Sequence, residues 1–249
     1  MNALTINKLY EVITEANSCK DLNKLENTII KTLNIIDYEY YLIGISIPTS
    51  ITKSHSGIIN NYPHEWRDIY EKNNFRKMDP VFLYSIKNHN PILWSDPYIK
   101  SFISQSKNNI NIMEEAKKYN LIEGITIPIH SSGGTFGMCS FANSGQKSGC
   151  QEMAIIASQT LSPVIVDCFC HDPLFATHFP EPVKLTSREL ECLKWSAEGK
   201  SAWEISKITS CSERTVVFHL TNICEKLNAT NKYQAISKAI VTGIINPQV

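Results

Sequence analysis

Three prolines, Pro173, Pro180 and Pro182, fall within the eleven residues from Asp172 to Pro182, a stretch with no helical or strand periodicity. Each proline removes a backbone donor and restricts the residue before it, so no regular element is expected to run through. The chain must then close one core before this segment and another after it. Its 249 residues suffice for both. Residues 1–171 and 183–249 are therefore read as two domains, with 172–182 as the linker. Residues 1–180 hold 15 Lys/Arg against 17 Asp/Glu, whereas residues 181–249 hold 9 against 7. The small basic surplus thus sits in the shorter part. Overall neutrality excludes a polybasic tail or a disordered acidic segment but leaves nucleic-acid binding open.

The first sixteen residues lack the apolar core of a signal peptide, and no window approaches the roughly 20 apolar residues that cross a bilayer. The eight cysteines are scattered without a CxxC pair, which suits reduced, buried thiols. A cytoplasmic location with no membrane partner is expected.

The first part alternates helical and strand patterns. Residues 5–17 and 21–34 read as helices, the second carrying Leu22, Leu25, Ile29, Ile30 and Leu33. Tyr38 to Ile47 is aromatic and β-branched, a strand that Pro48 should end. Pro63 opens a short helix with Trp66 and Tyr70 on one face. Residues 124–130 and 135–141 flank Ser-Ser-Gly-Gly as a hairpin, and 151–169 form an apolar helix. Helices flanking an antiparallel sheet define an α+β class, here an α-β-α sandwich.

Residues 183–245 read as four short helices. Thr186 or Ser187 caps the first, Gly199 stops it, and Leu190, Leu193, Trp195 and Ala197 are expected on its buried side. Ser201 begins the second, with Ile205 and Ile208 inward, and Ser212 caps the third. Val216, Leu220, Ile223 and Leu227 form an apolar stripe along that third helix. Its other face shows Arg214, Val217, Phe218, Thr221 and Asn222. Arg and Thr there can read base edges while apolar atoms meet thymine methyls, so the pair forms a helix-turn-helix. Ser212 and Thr215 lie at the start of the third helix, and Lys200, Lys207, Lys226 and Lys232 lie where phosphates would be met. A small helical protein-interaction domain is the alternative from pattern alone. His219 has no second ligand at metal spacing. Trp203 reads either as core or as an exposed ring suited to contact with RNA polymerase.

Leu185-Thr186, Arg188-Glu189, Glu191, Leu193 and Trp195, then Glu198 to Ser201, Glu204 to Ser206, Ser212, Arg214 to Val216 and His219-Leu220 resemble the LuxR/GerE-type DNA-binding domain. Ser210 departs from the glycine often found in that turn, which strains it if φ must be positive. Val217 and Thr221 replace lysines of several relatives and so change the expected target sequence.

A phosphorylated receiver would need clustered acidic residues after the first strand, and none is present. Instead Tyr62, Trp66, Tyr70, Asp79-Pro80-Val81, Trp94, Gly124 and Ser140 stand in an order that resembles the autoinducer-binding domain of LuxR-type quorum-sensing regulators. The resemblance implies an N-acyl-homoserine lactone as ligand, with no cofactor and no metal. It implies that Trp66 donates to the lactone carbonyl and that Asp79 accepts from the amide N–H. Tyr62 and Ser140 would donate to the amide carbonyl or to an oxygen on the third acyl carbon. Tyr70 and Trp94 supply flat walls; Val81, Leu83, Ile127 and Met138 would line the tail. Asp79 alone also reads as a helix N-cap, and Gly124 as structural.

The implied function is that of a non-enzymatic transcription regulator, an activator by resemblance, that dimerises on binding ligand and holds an inverted-repeat site in promoter DNA. Ala235, Ala239 and Ile240 of the last helix, residues 232–242, are the expected contact between DNA-binding domains. A lactone hydrolase would need a nucleophile with its base or a metal cluster, and the seven histidines form no HxxH. A regulator of the same fold answering to another molecule, or to none, is the other alternative.

Overall fold

The computed structural model describes residues 3–17, 19, 21–105, 111–173 and 183–245. The chain divides into two compact units: 1–46, 56–131 and 135–176 form the first, and the remaining residues form the second. Most of the linker segment 172–182 lies outside the described residues.

Along the chain, α1 (Ala3–Ala16) and α2 (Leu22–Ile36) precede β1 (Tyr40–Ser50) and β2 (Lys53–Asn60). Next come α3 (His64–Lys72), α4 (Pro80–Lys87), β3 (Ile92–Leu93), α5 (Pro97–Gln105) and α6 (Ile112–Lys117). The hairpin of β4 (Glu123–His130) and β5 (Phe136–Asn143) leads into α7 (Gln151–His171). The five strands are ordered β2-β1-β5-β4-β3, and the β1/β5, β5/β4 and β4/β3 pairs are antiparallel.

Alternation along the strands assigns each face its cover. Tyr41, Ile43, Ile125, Ile127, Cys139 and Phe141 are buried on one face. There α7 packs on β4 and on α1 and α2, with Met153, Ala157, Leu161 and Ile165 buried. The other face carries Leu42, Gly44, Met138 and Ser140, and α4 packs over β4 and β5 on that side. The architecture is the expected α-β-α sandwich.

Several local expectations change. β1 does not stop at Pro48 but runs to Ser50; its ladder with β5 ends at Ser46, so the missing N–H costs no bond on that side. Ile30 is exposed while Leu25, Ile29 and Leu33 are buried, because α2 shows its core only one stripe. Helix α7 is long and apolar enough by composition to cross a membrane, contrary to the sequence reading. Its buried stripe against the sheet makes it a core helix. All eight cysteines are free.

The second unit carries α8 (Ser187–Ala197), α9 (Ala202–Ile208), α10 (Glu213–Lys226) and α11 (Lys232–Val241). Thr186 and Ser201 each start a helix with a reciprocal capping box, to Glu189 and Glu204 respectively. Gly199 takes φ +84° just past α8, the left-handed stop that glycine provides without strain. Leu193, Ile223, Leu227, Ala235 and Ala239 form one buried cluster, and Cys192, Ile205 and Val216 another. Ala197 and Ile208 are exposed and Leu190 is half-buried, so α8 turns Glu189, Cys192, Leu193 and Ser196 inward instead. Ala235 and Ala239 are consumed by the domain's own core, which removes them from any contact with a second copy.

Candidate functional site

Between the sheet and helices α3, α4 and α6 lies a cavity of about 310 Å³. It is lined by Leu42, Gly44, Ser46, Ile58, Phe136, Met138 and Ser140 from the sheet. Tyr62, Trp66, Tyr70, Asp79, Val81 and Trp94 all line it too, so the residues assigned to the ligand's head group and walls meet in one place.

Asp79 is the N-cap of α4. Its Oδ1 accepts from the Val81 N–H at 2.8 Å and the Phe82 N–H at 3.3 Å. Its Oδ2 accepts from the Tyr70 hydroxyl at 2.8 Å. The helix-cap and ligand-acceptor readings are therefore compatible, one oxygen serving each. Burial pushes the Asp79 carboxyl above its ordinary value, although the Tyr70 hydroxyl and the two N–H groups pull the other way.

Trp66 is buried on α3 among Tyr70, Phe75 and Tyr119, with ring centroids 5.8 to 6.0 Å away. The Tyr62 hydroxyl is fully enclosed and, among the described residues, meets no partner in good hydrogen-bond geometry. The Ser140 side chain is its neighbour, and burial pushes the phenol upward. An enclosed hydroxyl without a partner costs about 1–3 kcal/mol, so this one is poised for an incoming group.

Trp94 is held differently from a plain wall. Its Nε1 donates to Thr126 Oγ1 at 3.0 Å, and Thr126 Oγ1 lies 2.8 Å from Ser140 Oγ. With Trp94 donating, the Thr126 hydroxyl is free to donate to Ser140, leaving the Ser140 proton for the cavity. Gly124 makes this possible: a Cβ there would stand 2.8 Å from Trp94 Cδ2 and Cε2 and 2.7 Å from the Phe141 carbonyl. Its structural reading acquires a cause, close approach of an indole.

Met138 and Val81 line the cavity as expected, but Ile127 does not. The register pairs Thr126 with Ser140 and Ile127 with Cys139, which sends Ile127 to the α7 face. Leu83 is not among the lining residues either, since α4 presents Val81 and Phe82. Sequence reasoning missed Ile112, Met113 and Ala116 of α6, and Arg67, Glu71, Asn74 and Arg76 on the α3 side. Asn111 caps α6 through the Met113 and Glu114 N–H groups, and an Asn ahead of Glu114 and Glu115 was a readable helix start. His130 Nε2 lies 3.0 and 3.1 Å from the carbonyls of Ser85 and Asn88, so as a donor it pins the end of α4 to β4.

In the second unit, α9, a turn and α10 form the helix-turn-helix. Val217 and Phe218 are 50% and 60% exposed beside exposed Arg214 and Thr221, while Val216 and Ile223 face inward. Asn222 is half-buried at the edge of that face. Ser212 caps α10 through the Thr215 N–H, and their hydroxyls lie 2.7 Å apart, so both hold the helix start. Ser210 in the turn has φ +53°, a left-handed value that glycine would meet without strain. Lys200 lies 3.9 Å from Glu204, and Lys207 lies 5.6 Å from the Trp203 ring. Trp203 is 57% exposed, which excludes the core reading.

Lys226 differs from the other lysines. Its Nζ is 2.7 Å from Oε2 of Glu189, a buried carboxylate that also accepts from the Thr186 N–H. Burial works against ionisation there, but Lys226 and Thr186 together hold the carboxyl below its usual value. The pair ties the end of α10 to the start of α8, a structural duty that a phosphate contact would have to share.

The pattern of an autoinducer binding domain matches residues 22–168, and that of bacterial regulatory proteins, luxR family, matches residues 183–239. The chain is 39% identical over 248 residues to the transcriptional activator protein LuxR of Aliivibrio fischeri, covering 99% of this chain and 98% of that one. It is 41% identical over 247 residues to the transcriptional activator protein VanR of Vibrio anguillarum, covering 96% and 98%. A solved structure of SdiA in complex with octanoyl-rac-glycerol matches with a TM-score of 0.78 over 100% of both chains, at 23% identity. That likeness is one of fold.

Proposed function

Since the chain belongs to the LuxR family of bacterial transcription regulators, with an autoinducer-binding domain and a DNA-binding helix-turn-helix, we propose that its inducer is an N-acyl-homoserine lactone. In this reading residues 1–171 are the sensor, 172–182 the linker and 183–249 the DNA reader. The observation that carries it is the match between an apolar cavity and its few polar atoms. The enclosed Tyr62 hydroxyl and the Ser140 hydroxyl donate to the amide carbonyl, and Asp79 Oδ2 accepts from the amide N–H. Trp66 offers its indole N–H to the lactone carbonyl, while Met138 and Phe136 flank the tail.

Buried ligand binds the folded state alone and so stabilises it by mass action. A homodimer then sets two α10 helices on an inverted repeat, half-sites about one DNA turn apart. The contact between DNA readers falls on the exposed side of α11, where Tyr233 and Ile240 lie, not on Ala235 or Ala239. Promoter binding activates transcription, as the names of the similar LuxR and VanR proteins state of them. Exposed Trp203 is the proposed contact with RNA polymerase, and the protein works in the cytoplasm.

One observation favours a second ligand class. The SdiA structure holds an acylated glycerol, and the same hydroxyl and carboxylate set would serve a polyol head without an amide. Mass spectrometry of the molecule that co-purifies, after expression with and without added lactones, separates the two. A bound lactone and a lactone-dependent soluble yield are expected. An acylglycerol, or equal yield and equal DNA binding in every condition, would sink the lactone reading.

A further inference from the structure

Gly44 sits in the middle of β1, paired with Met138 of β5, on the face that lines the cavity. Glycine inside a strand weakens it, because the unfolded chain loses more freedom and no side chain packs. Nothing in the backbone requires glycine at this position, for Gly44 is not among the residues of positive φ. Nor does crowding: a Cβ built there would meet Ile58 Cγ1 at 3.8 Å and Leu42 Cδ2 at 4.0 Å, ordinary contact distances. This contrasts with Gly124 and Gly137, where an added Cβ would come within 2.7 Å of a backbone carbonyl. The methyl group that is absent at Gly44 would fit the fold and would stand in the cavity.

We propose that Gly44 is the residue that lets a long acyl tail pass, and that any side chain at this position would set an upper limit on tail length. The inference rests on the acyl-lactone reading of the site above. The register supplies the geometry. Ser140 lies opposite Leu42, Met138 opposite Gly44 and Phe136 opposite Ser46, so the polar head of the cavity is two strand residues from Gly44. Two residues of strand span about 7 Å, and an extended chain advances roughly 1.1 Å per bond. A tail therefore reaches Gly44 after about six bonds from the Ser140 level. Shorter tails end before it and longer ones run over it toward Phe136 and Ser46.

The test compares Gly44→Ala and Gly44→Val with the unaltered full-length chain, measuring dissociation constants for butanoyl-, octanoyl- and dodecanoyl-homoserine lactone. Both variants should bind the butanoyl compound as the unaltered chain does and lose about tenfold or more on the dodecanoyl compound, the scale of one methylene-sized misfit. Thermal unfolding without ligand should show Gly44→Ala at least as stable as the unaltered chain. An unchanged length profile in folded variants overturns the proposal, and so does failure of Gly44→Ala to fold, since the methyl must fit. If the unaltered chain binds none of the three lactones, the ligand reading falls and this inference with it.

Discussion

Asp79 holds the start of α4 with one oxygen and turns the other to Tyr70 and the cavity, so in the proposed site its protonation would couple folding to ligand capture. Burial raises its carboxyl in the folded state. Its contribution to stability is therefore full below the unfolded value of about 3.9 and is lost as pH rises through the raised folded value. An ionised oxygen accepts a ligand N–H more strongly than a protonated carboxyl does, so lactone affinity should climb across that same window and level off above it. Dissociation constants measured against pH check this: Asp79→Asn should bind about 1–3 kcal/mol more weakly and lose the slope. Ser210 offers a cleaner stability test. At φ +53° it carries a left-handed cost that glycine avoids, partly offset by the greater freedom of unfolded glycine. Ser210→Gly should raise stability by about 0.5 kcal/mol in chemical denaturation, and a loss of stability would refute the strain.

Among the elements, the helices of the DNA reader were the most legible, because their starts are written in caps: Thr186, Ser201 and Ser212 each precede the first turn they satisfy. What sits inside a stripe was legible only in part. Ala235 and Ala239 share a face with no charge to mark it as inner or outer, and packing against the buried cluster decided for inner. The hairpin of β4 and β5 was readable from alternation, whereas β2 is polar and glycine-bearing and β3 spans two residues, too few for a period. Ile127 and Met138 looked equivalent by hydrophobicity; register alone separates them. The Glu189–Lys226 tie between α8 and α10 was invisible, since its partners are 37 residues apart. Lys226→Met would leave that carboxylate buried with the Thr186 N–H but without its ion-pair partner, costing about 1–3 kcal/mol once the lysine's partial exposure is allowed for. Thermal unfolding should show that loss, whereas Arg214→Ala should unfold normally, keep ligand binding and fail to shift promoter DNA.

For the whole molecule, neutrality hides a division between an acidic front part and a reader with a surplus of two positive charges. So small a surplus gives weak attraction to phosphate, and the proposed dimer would double it, making pairing the expected condition of tight DNA binding. Gel shifts should therefore show a full inverted repeat bound far more tightly than one half-site, with equal affinities counting against the dimer. Ligand at a hundred times its dissociation constant should stabilise the sensor by about 2.7 kcal/mol, read as a rise in melting temperature that an unoccupied sensor lacks. The double duty of Asp79 reaches further, into how such a receptor can diverge. A substitution there would disturb a helix start as well as the proposed hydrogen bond to ligand, so the fold itself would hold the head of the cavity fixed. Gly44 and Met138 bear no comparable duty. New signalling dialects should thus arise by changes at the tail end of the cavity, each lineage keeping the same grammar for the head group.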